Sequence, residues 1–270
     1  MRLFLGLENK SKWVGFKKND RVKMNESLNI IIPVFNEDKN ILTTLSLIQN
    51  KVKCFDKIFI VYDREEDTTL PVVRNYFQNL SPDKASQIVL VKNFYGKGVL
   101  NAIKTGFESV RSGVVLVTMA DLSDDVSTIN AMLEKVSEGY DLVCGSRYMK
   151  GGGQIGGPRF KSFLSRTAGV SLYYLTGIPT RDVTNSFKMY KKEILDAIQI
   201  ESNGGFELGM EIVVKSFLKG FKITEVPTVW KDRESGQSNF KLWKWLPKYI
   251  HWYWFCFHKS LLCGRKNRKI

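Results

Sequence analysis

Short apolar runs alternate with segments of helical spacing through the first half of this chain, and that rhythm restricts the fold more than any single residue does. Residues 28–34 form one such run, closing around Pro33, as suits a strand buried on both faces. Ile41, Leu45 and Ile48 then mark one face of a helix over 38–49. The same reading places strands at 57–62, 87–91, 113–119 and 141–144, and helices at 70–80, 97–110 and 127–136. Alternation at these lengths implies an α/β fold, a mainly parallel central sheet covered by helices on both sides. Ligands of such sheets gather at the carboxyl ends of the strands. Here those are the loops after Val34, Tyr62, Met119 and Cys144.

The second half is less regular. Two glycine clusters, 151–153 and 156–157 before Pro158, bracket a loop able to close over a ligand. A helix is expected at 160–175, a mixed loop and strand at 182–190, and a strand at 221–226. A helix over 207–219 sets Glu207 and Glu211 one turn apart on one face. The chain therefore divides into an extension (1–27), a catalytic-sized domain (28–241) and an aromatic, basic C-terminal segment (242–270).

Charge narrows the partners. The 41 Lys and Arg against 27 Asp and Glu leave +14, which favours nucleic acid, anionic lipid headgroups or phosphorylated small molecules. More than half of that excess lies in residues 241–270, which carry no acidic side chain. Cys54, Cys144, Cys256 and Cys263 have neither metal-site nor disulfide-framework spacing, so a reduced, cytosolic compartment is expected. The apolar start at Met1–Leu7 is too short for a signal peptide, and no run reaches the length of a spanning helix.

Five loops carry groups able to do chemistry. After the fourth strand come Ala120, Asp121, Leu122, Ser123, Asp124 and Asp125, where carboxylates at a strand end can hold a hard divalent cation. Capping of the next helix accounts equally for Ser123, Asp124 and Asp125, but less readily for Asp121. Pro33, Val34, Asn36 and Glu37 follow the first strand, where a plain strand end also suffices. Asp63 ends the second strand and can accept hydrogen bonds from a base or ribose, or belong to a solvated acidic turn. Lys97 stands between Gly96 and Gly98 at a helix start, which suits an anion, although neither a P-loop nor a dinucleotide fingerprint is present. Arg233, Ser238 and Lys241 span a Gly/Ser loop that can grip phosphate, as can Arg147, Arg159 and Lys161 around the glycine-rich loop; solvated surface cations look the same. His251 and His258 both fall in the tail, and no G-x-S-x-G elbow occurs. Carboxylates, a metal and cations must then run any chemistry in the domain.

Taken in order, these segments resemble a family-2 glycosyltransferase of the polyprenyl-phosphate (dolichol-phosphate) mannose synthase-like branch, over about residues 28–241. Pro33–Glu37 is similar to that family's first nucleotide-contacting loop, and Asp63 with Asp67 and Thr68 to the second, which approaches the base. Gly96-Lys97-Gly98, Gly145-Ser146-Arg147-Tyr148, Ser165-Arg166, the acceptor-side segment Arg181–Lys188 with Asp182, then Glu211, Glu225-Val226-Pro227 and Arg233–Lys241 continue the pattern. Some positions depart from it. Met119 stands where the metal motif usually begins with Asp, Ser123 where Gln is frequent, Asn185-Ser186 where Ser-Gly is common, and Asn239 where Lys is common in the loop after Arg233.

The resemblance implies a GT-A fold and inverting transfer of a hexose from a GDP-mannose or UDP-glucose type donor to a polyprenyl or dolichyl phosphate. The alternative acceptor is a glycan or other hydroxyl in cell-surface polysaccharide synthesis. It implies Mg²⁺ or Mn²⁺ on Asp121, with Ser123 completing a sparer set than usual. Arg233 and Lys241 would then pair with phosphate oxygens, and Asp124 would act as base for a hydroxyl acceptor. Pro33, Val34, Asn36, Glu37, Asp63, Lys97, Ala120, Arg147, Arg159, Asp182, Glu211 and Ser238 are the substrate-side residues. Trp243, Trp245, Trp252 and Trp254, framed by basic residues, suit a segment lying among headgroups on the cytosolic face of a membrane, unless they pack back onto the domain. Pro247 is expected to interrupt or start a helix there. A nucleic-acid-binding module would explain the charge but not Asp63, Asp121 or Gly96-Lys97-Gly98, so nucleic acid is not an expected partner. An inactive scaffold of the same fold is the rival that Met119 motivates.

Overall fold

The computed structural model describes residues 27–233 and 242–266. The N-terminal extension through residue 26 and the loop holding Ser238 and Lys241 lie outside the described residues. The first half follows the expected alternation: β1 (Leu28–Val34), α1 (Ile41–Lys51), β2 (Lys57–Tyr62), α2 (Thr69–Gln78), α3 (Pro82–Ser86), β3 (Ile88–Lys92), α4 (Val99–Ser109), β4 (Val114–Val117), α5 (Thr128–Ser137) and β5 (Leu142–Ser146). The second half adds β6 (Gly153–Ile155), α6 (Arg159–Thr176), β7 (Lys188–Lys191), α7 (Lys192–Ala197), α8 (Leu208–Leu218), β8 (Ile223–Pro227), β9 (Val229–Lys231) and α9 (Leu242–Lys266).

Seven strands form the main sheet in the order β3-β2-β1-β4-β7-β5-β8. All run parallel except β7, which pairs antiparallel with both β4 and β5. Nothing in Lys188-Met189-Tyr190-Lys191 marks that reversal; strand direction comes from where the preceding loop delivers the chain. Every residue of β1 is buried because helices cover both of its faces. Ile30 and Ile32 pack with α1, α2 and α5, whereas Ile31 points into a second core with α4, α6, α8 and α9. Gly106 lets α4 lie close on that face, since a Cβ there would stand 2.5 Å from the Ile31 side chain.

The tail is a single helix, and Pro247 neither starts nor ends it. Trp245, Trp252 and Cys256 on α9 are buried, and the last two belong to the core shared with α6 and α8. Ser171 of α6 bonds Tyr253 at 3.0 Å. One face of α9 thus packs onto α6 and α8 of the domain. The opposite face of α9 is outward, with Trp243, Ile250, Trp254, Leu261 and Leu262 exposed. Among the described residues no helix is long and apolar enough to cross a membrane.

Candidate active site

The strand order reverses between β1 and β4, so the crevice of this sheet opens there. Pro33 helps to open it. Ile31 and Pro33, two residues apart, face the same neighbour, and pairing with β4 ends at Ile31, whose carbonyl accepts from Thr118 N–H at 3.1 Å. The absent N–H of Pro33 falls beyond that last partner, while pairing with β2 continues to Val34 opposite Tyr62. Pro33 and Val34 are buried and shape the crevice wall.

The loops after β1 and β2 are laced together. Asn36 takes the left-handed conformation at φ 55°, and both oxygens of buried Asp67 accept its N–H at 3.1 and 3.2 Å. Glu37 N–H donates to Thr69 Oγ1 at 2.9 Å. Glu37 itself is half-buried, and burial pushes its carboxyl up, helped by the charge of Asp121 and opposed by Asn40 and Arg233. Asp63 organises the next loop. One oxygen accepts from Asn93 Nδ2 and the other from Gly98 N–H, each at 2.8 Å. Gly98 reaches that position at φ 113°, which a side chain would strain, and Lys97 is left exposed beside it.

Beyond β4, Asp121 is nearly buried. Its Oδ1 accepts from Ser123 N–H at 3.1 Å and its Oδ2 from Arg233 Nη2 at 2.7 Å. Leu122 between them is left-handed at φ 61°, a strained state for a leucine. The carbonyl of Ser123 accepts from Lys231 N–H at 2.9 Å, which ties the end of β9 to this loop and delivers Arg233 to Asp121. The carbonyl of Ala120 accepts from buried Thr44 at 2.9 Å and fixes the loop from beneath. Asp124 accepts from Thr118 Oγ1 at 3.1 Å and Met119 N–H at 3.4 Å. Burial, then the nearby Asp121 charge, pushes its carboxyl up to about 7.

Lys161, in the first turn of α6, completes the cluster. Burial, with Arg147 and Arg233 near it, pushes its ammonium down to about 8 against the pull of Asp232 and Asp121. Lys161 is thus a cation that α6 brings to this edge, while Arg159 in the same turn is exposed. Arg147 is turned to Asp182, with Nε and Nη2 bonding its carboxylate at 2.7 and 2.9 Å. Burial works to raise the Asp182 carboxyl, and Arg147 overrides it, holding the carboxyl below the usual carboxylate range. Glu211 is taken up elsewhere: its oxygens accept from the N–H groups of Glu201 and Ser202 at 2.6 and 2.8 Å, and it pairs with Lys215 at 2.7 Å. That carboxylate anchors the 199–206 loop.

Asp121, Asp124, Arg233 and Lys161 thus meet at the switch point of the sheet, where ligands of such sheets bind. A glycosyltransferase family 2 model matches residues 29–199. The chain belongs to glycosyl transferase family 2. It is 28% identical over 219 residues to the dolichol-phosphate mannosyltransferase of Pyrococcus furiosus, a match that covers 79% of this chain and only 59% of that protein. It is 29% identical over 216 residues to the polyprenol monophosphomannose synthase of Mycolicibacterium smegmatis, covering 77% of this chain and 79% of the relative. Glucosyl-3-phosphoglycerate synthase of Mycobacterium tuberculosis, solved with Mn²⁺, UDP and glucosyl-3-phosphoglycerate, shares the fold at a TM-score of 0.63. The two are 15% identical, with 88% of this chain and 82% of that one covered. The same synthase has been solved with Mg²⁺ and UDP.

The α/β fold and the family 2 membership agree with the sequence reading. A divalent cation fits the donor set by chemistry rather than by a full cage. Among the described residues no group of three metal-ligating side chains occurs. Magnesium-type ions are commonly bound through one or two carboxylates, with substrate phosphate and water supplying the rest. Asp121 provides one carboxylate and Glu37 lies within the reach of its charge.

Proposed function

We propose that this chain transfers a hexose from a nucleoside diphosphate sugar, with inversion at the anomeric carbon, to a hydroxyl acceptor. The observation that carries the reading is the carboxylate pair at the end of β4. Asp121 is held by Arg233 at 2.7 Å, and Asp124 stands beside it on Thr118 and Met119. Asp124 takes the proton of the attacking hydroxyl while the bond from C1 to the diphosphate oxygen breaks. Arg233 and Lys161 take up the negative charge that develops on the leaving group, which is where preorganised cations lower the barrier most. Asp63, braced by Asn93 and Gly98, has lone pairs left for the base or ribose of a UDP-glucose or GDP-mannose type donor. Mg²⁺ or Mn²⁺, when bound at Asp121, supplies further charge neutralisation at the diphosphate.

A second reading keeps the polyprenyl phosphate acceptor, as the names of the two sequence relatives suggest. The outer faces of α6 and α9 support it. Phe160, Phe163, Tyr174 and Leu175 are exposed on α6, alongside Trp243, Ile250 and Trp254 on α9, and neither helix contains an acidic residue. An apolar face edged with cations suits anionic headgroups, and α6 begins at the catalytic cluster. Attachment to the cytosolic face of a membrane belongs to this reading.

Initial rates with Mn²⁺, UDP-glucose or GDP-mannose, and polyprenyl phosphate, phosphoglycerate or a free hexose separate the two. An ionised phosphate needs no base, so Asp124→Asn spares transfer to polyprenyl phosphate and abolishes transfer to a hydroxyl. Absence of turnover with every pair, together with no thermal shift by UDP or GDP, would sink the enzyme assignment at this site. For the membrane, Phe163→Glu with Trp254→Glu leaves the core intact, and undiminished flotation with anionic liposomes refutes the α6–α9 face.

A further inference from the structure

Lys188 opens the one strand of the main sheet that runs against the others. Because β7 is antiparallel, its first residue lies at the edge where β4 and β5 end, opposite Val117 on one side and Cys144 on the other. It therefore sits under the loops that carry Asp121 and Arg147. The side chain is completely buried. A methionine would fill similar space without the large desolvation cost of an ammonium, so filling volume does not explain the residue.

The ammonium has no ion pair among the described residues. Its Nζ donates instead to two backbone carbonyls, Val183 at 3.2 Å and Asn185 in a closer contact. Burial pushes its protonation equilibrium down, and the Cys144 and Asp182 side chains oppose that. Both carbonyls belong to the segment between Asp182 and Phe187, which sets Arg147 in place. Asp182 receives the Arg147 guanidinium and also its backbone N–H at 3.0 Å. Thr184 Oγ1 accepts from Arg147 Nη2 at 3.1 Å. Asn185 donates its side-chain amide to the Gly145 carbonyl at 2.9 Å and its N–H to Asp182 at 3.2 Å. One buried charge thus cinches the turn whose side chains aim Arg147.

We propose that Lys188 is a positioning residue for glycosyl transfer: its ammonium draws the Val183 and Asn185 carbonyls together and so holds Arg147 in register with the acceptor side of the site. The proposal rests on the reading of this edge as the transfer site. It adds a residue that touches neither substrate to the turn that the family resemblance already sets on the acceptor side.

The test compares Lys188→Met and Lys188→Arg in the full chain, with UDP and Mn²⁺ as the donor-side probe and varied phosphoglycerate or polyprenyl phosphate as acceptor. Lys188→Met is expected to bind UDP within twofold of the native chain while the acceptor KM rises at least tenfold. Lys188→Arg, which keeps a charged donor, restores that KM to within about threefold. In Lys188→Met the Arg147 and Asn185 amides, both bonded to Asp182, exchange with solvent at least tenfold faster, and the amides of β1 do not. Unchanged acceptor KM in Lys188→Met overturns the proposal, as does a loss of kcat and UDP binding together with no rescue by Arg. If Lys188→Met does not fold, Lys188→Gln, which keeps one donor toward the carbonyls, carries the same measurements. Should the native chain turn over no substrate, the transfer reading fails, and the exchange rates alone decide whether Lys188 holds the turn.

Discussion

Two carboxylate–arginine pairs lie at the same edge of the sheet and differ in how deeply they are buried. Asp182 is wholly buried and Arg147 nearly so; their contact is bidentate and is reinforced by Thr184 and by two backbone N–H groups. Asp121 and Arg233 bond at 2.7 Å, with 27% of the arginine side chain open to solvent. A deeply buried pair is fixed in place, because moving it would strand a buried charge. A partly open pair can exchange partners, the arginine turning to a phosphate and the carboxylate to a cation. Similar residues in neighbouring loops therefore serve opposite ends, scaffold in one case and chemistry in the other.

The largest effect expected from this contrast is on turnover. Asp121→Asn should lower kcat by about 10³-fold while leaving the melting temperature nearly unchanged, because an amide oxygen can keep the Ser123 N–H contact and Arg233 is partly open to solvent. Steady-state kinetics beside a thermal melt check both halves, and retained activity would remove Asp121 from the site. Asp182→Asn should do the reverse in kind, costing on the order of 3 kcal/mol of stability by leaving Arg147 buried and unpaired. Its carboxyl is held low, so the contribution is full above the unfolded value of about 4 and is lost as pH falls from there through the lower folded value. The gap between Asp182→Asn and the native chain in urea unfolding should narrow progressively as pH falls below about 4. A constant gap would mean that the pair is not what stabilises the turn.

How far this contrast could be read beforehand differs along the chain. The crevice is legible because β1 to β4 obey short-range periodicities, and Pro33, Asp63 and Asp121 each lie at or shortly beyond the carboxyl end of a strand. The partners of the arginines are not. Arg147 and Asp182 are 35 residues apart, Asp121 and Arg233 are 112 apart, and their pairing depends on the unannounced reversal of β7 and on the Lys231–Ser123 bond. Asp67 reads as part of an acidic turn until its bonds to the backbone of Asn36 are seen. Lys161 and Arg159 are equivalent on paper and are separated only by which side of the first α6 turn faces the cluster. In the tail, aromatic composition alone cannot distinguish Trp252, inside the core, from Trp254, half exposed. Periodicity would have helped, since Trp245, Trp252 and Cys256 recur at helical spacing.

Asp124 lies between the two pairs in character, and a pH series sharpens its place. Its carboxyl is pushed up to about 7, so the folded chain binds a proton that the unfolded chain releases near 4. Native stability should therefore fall as pH rises across that window, and Asp124→Asn should gain on the order of 4 kcal/mol over the native chain above pH 7. The two should coincide near pH 4. A variant less stable than the native chain at pH 8 would show that the ionised form is held by partners as Asp182 is.

The smallest expected effect concerns Lys161, and it tests whether the open side of the comparison binds anions at all. With its ammonium pushed down to about 8, Lys161 is charged in most molecules at pH 7 and in few at pH 9. A diphosphate binds the charged form, so UDP affinity should drop about tenfold between those two values, following the lost charge. Lys161→Arg stays charged throughout and should flatten the profile without weakening binding at pH 7. Arg147 offers the control, because its raised protonation equilibrium gives it no transition in that range. A UDP titration that is flat for the native chain, or equally sloped for Lys161→Arg, would place the diphosphate away from the first turn of α6.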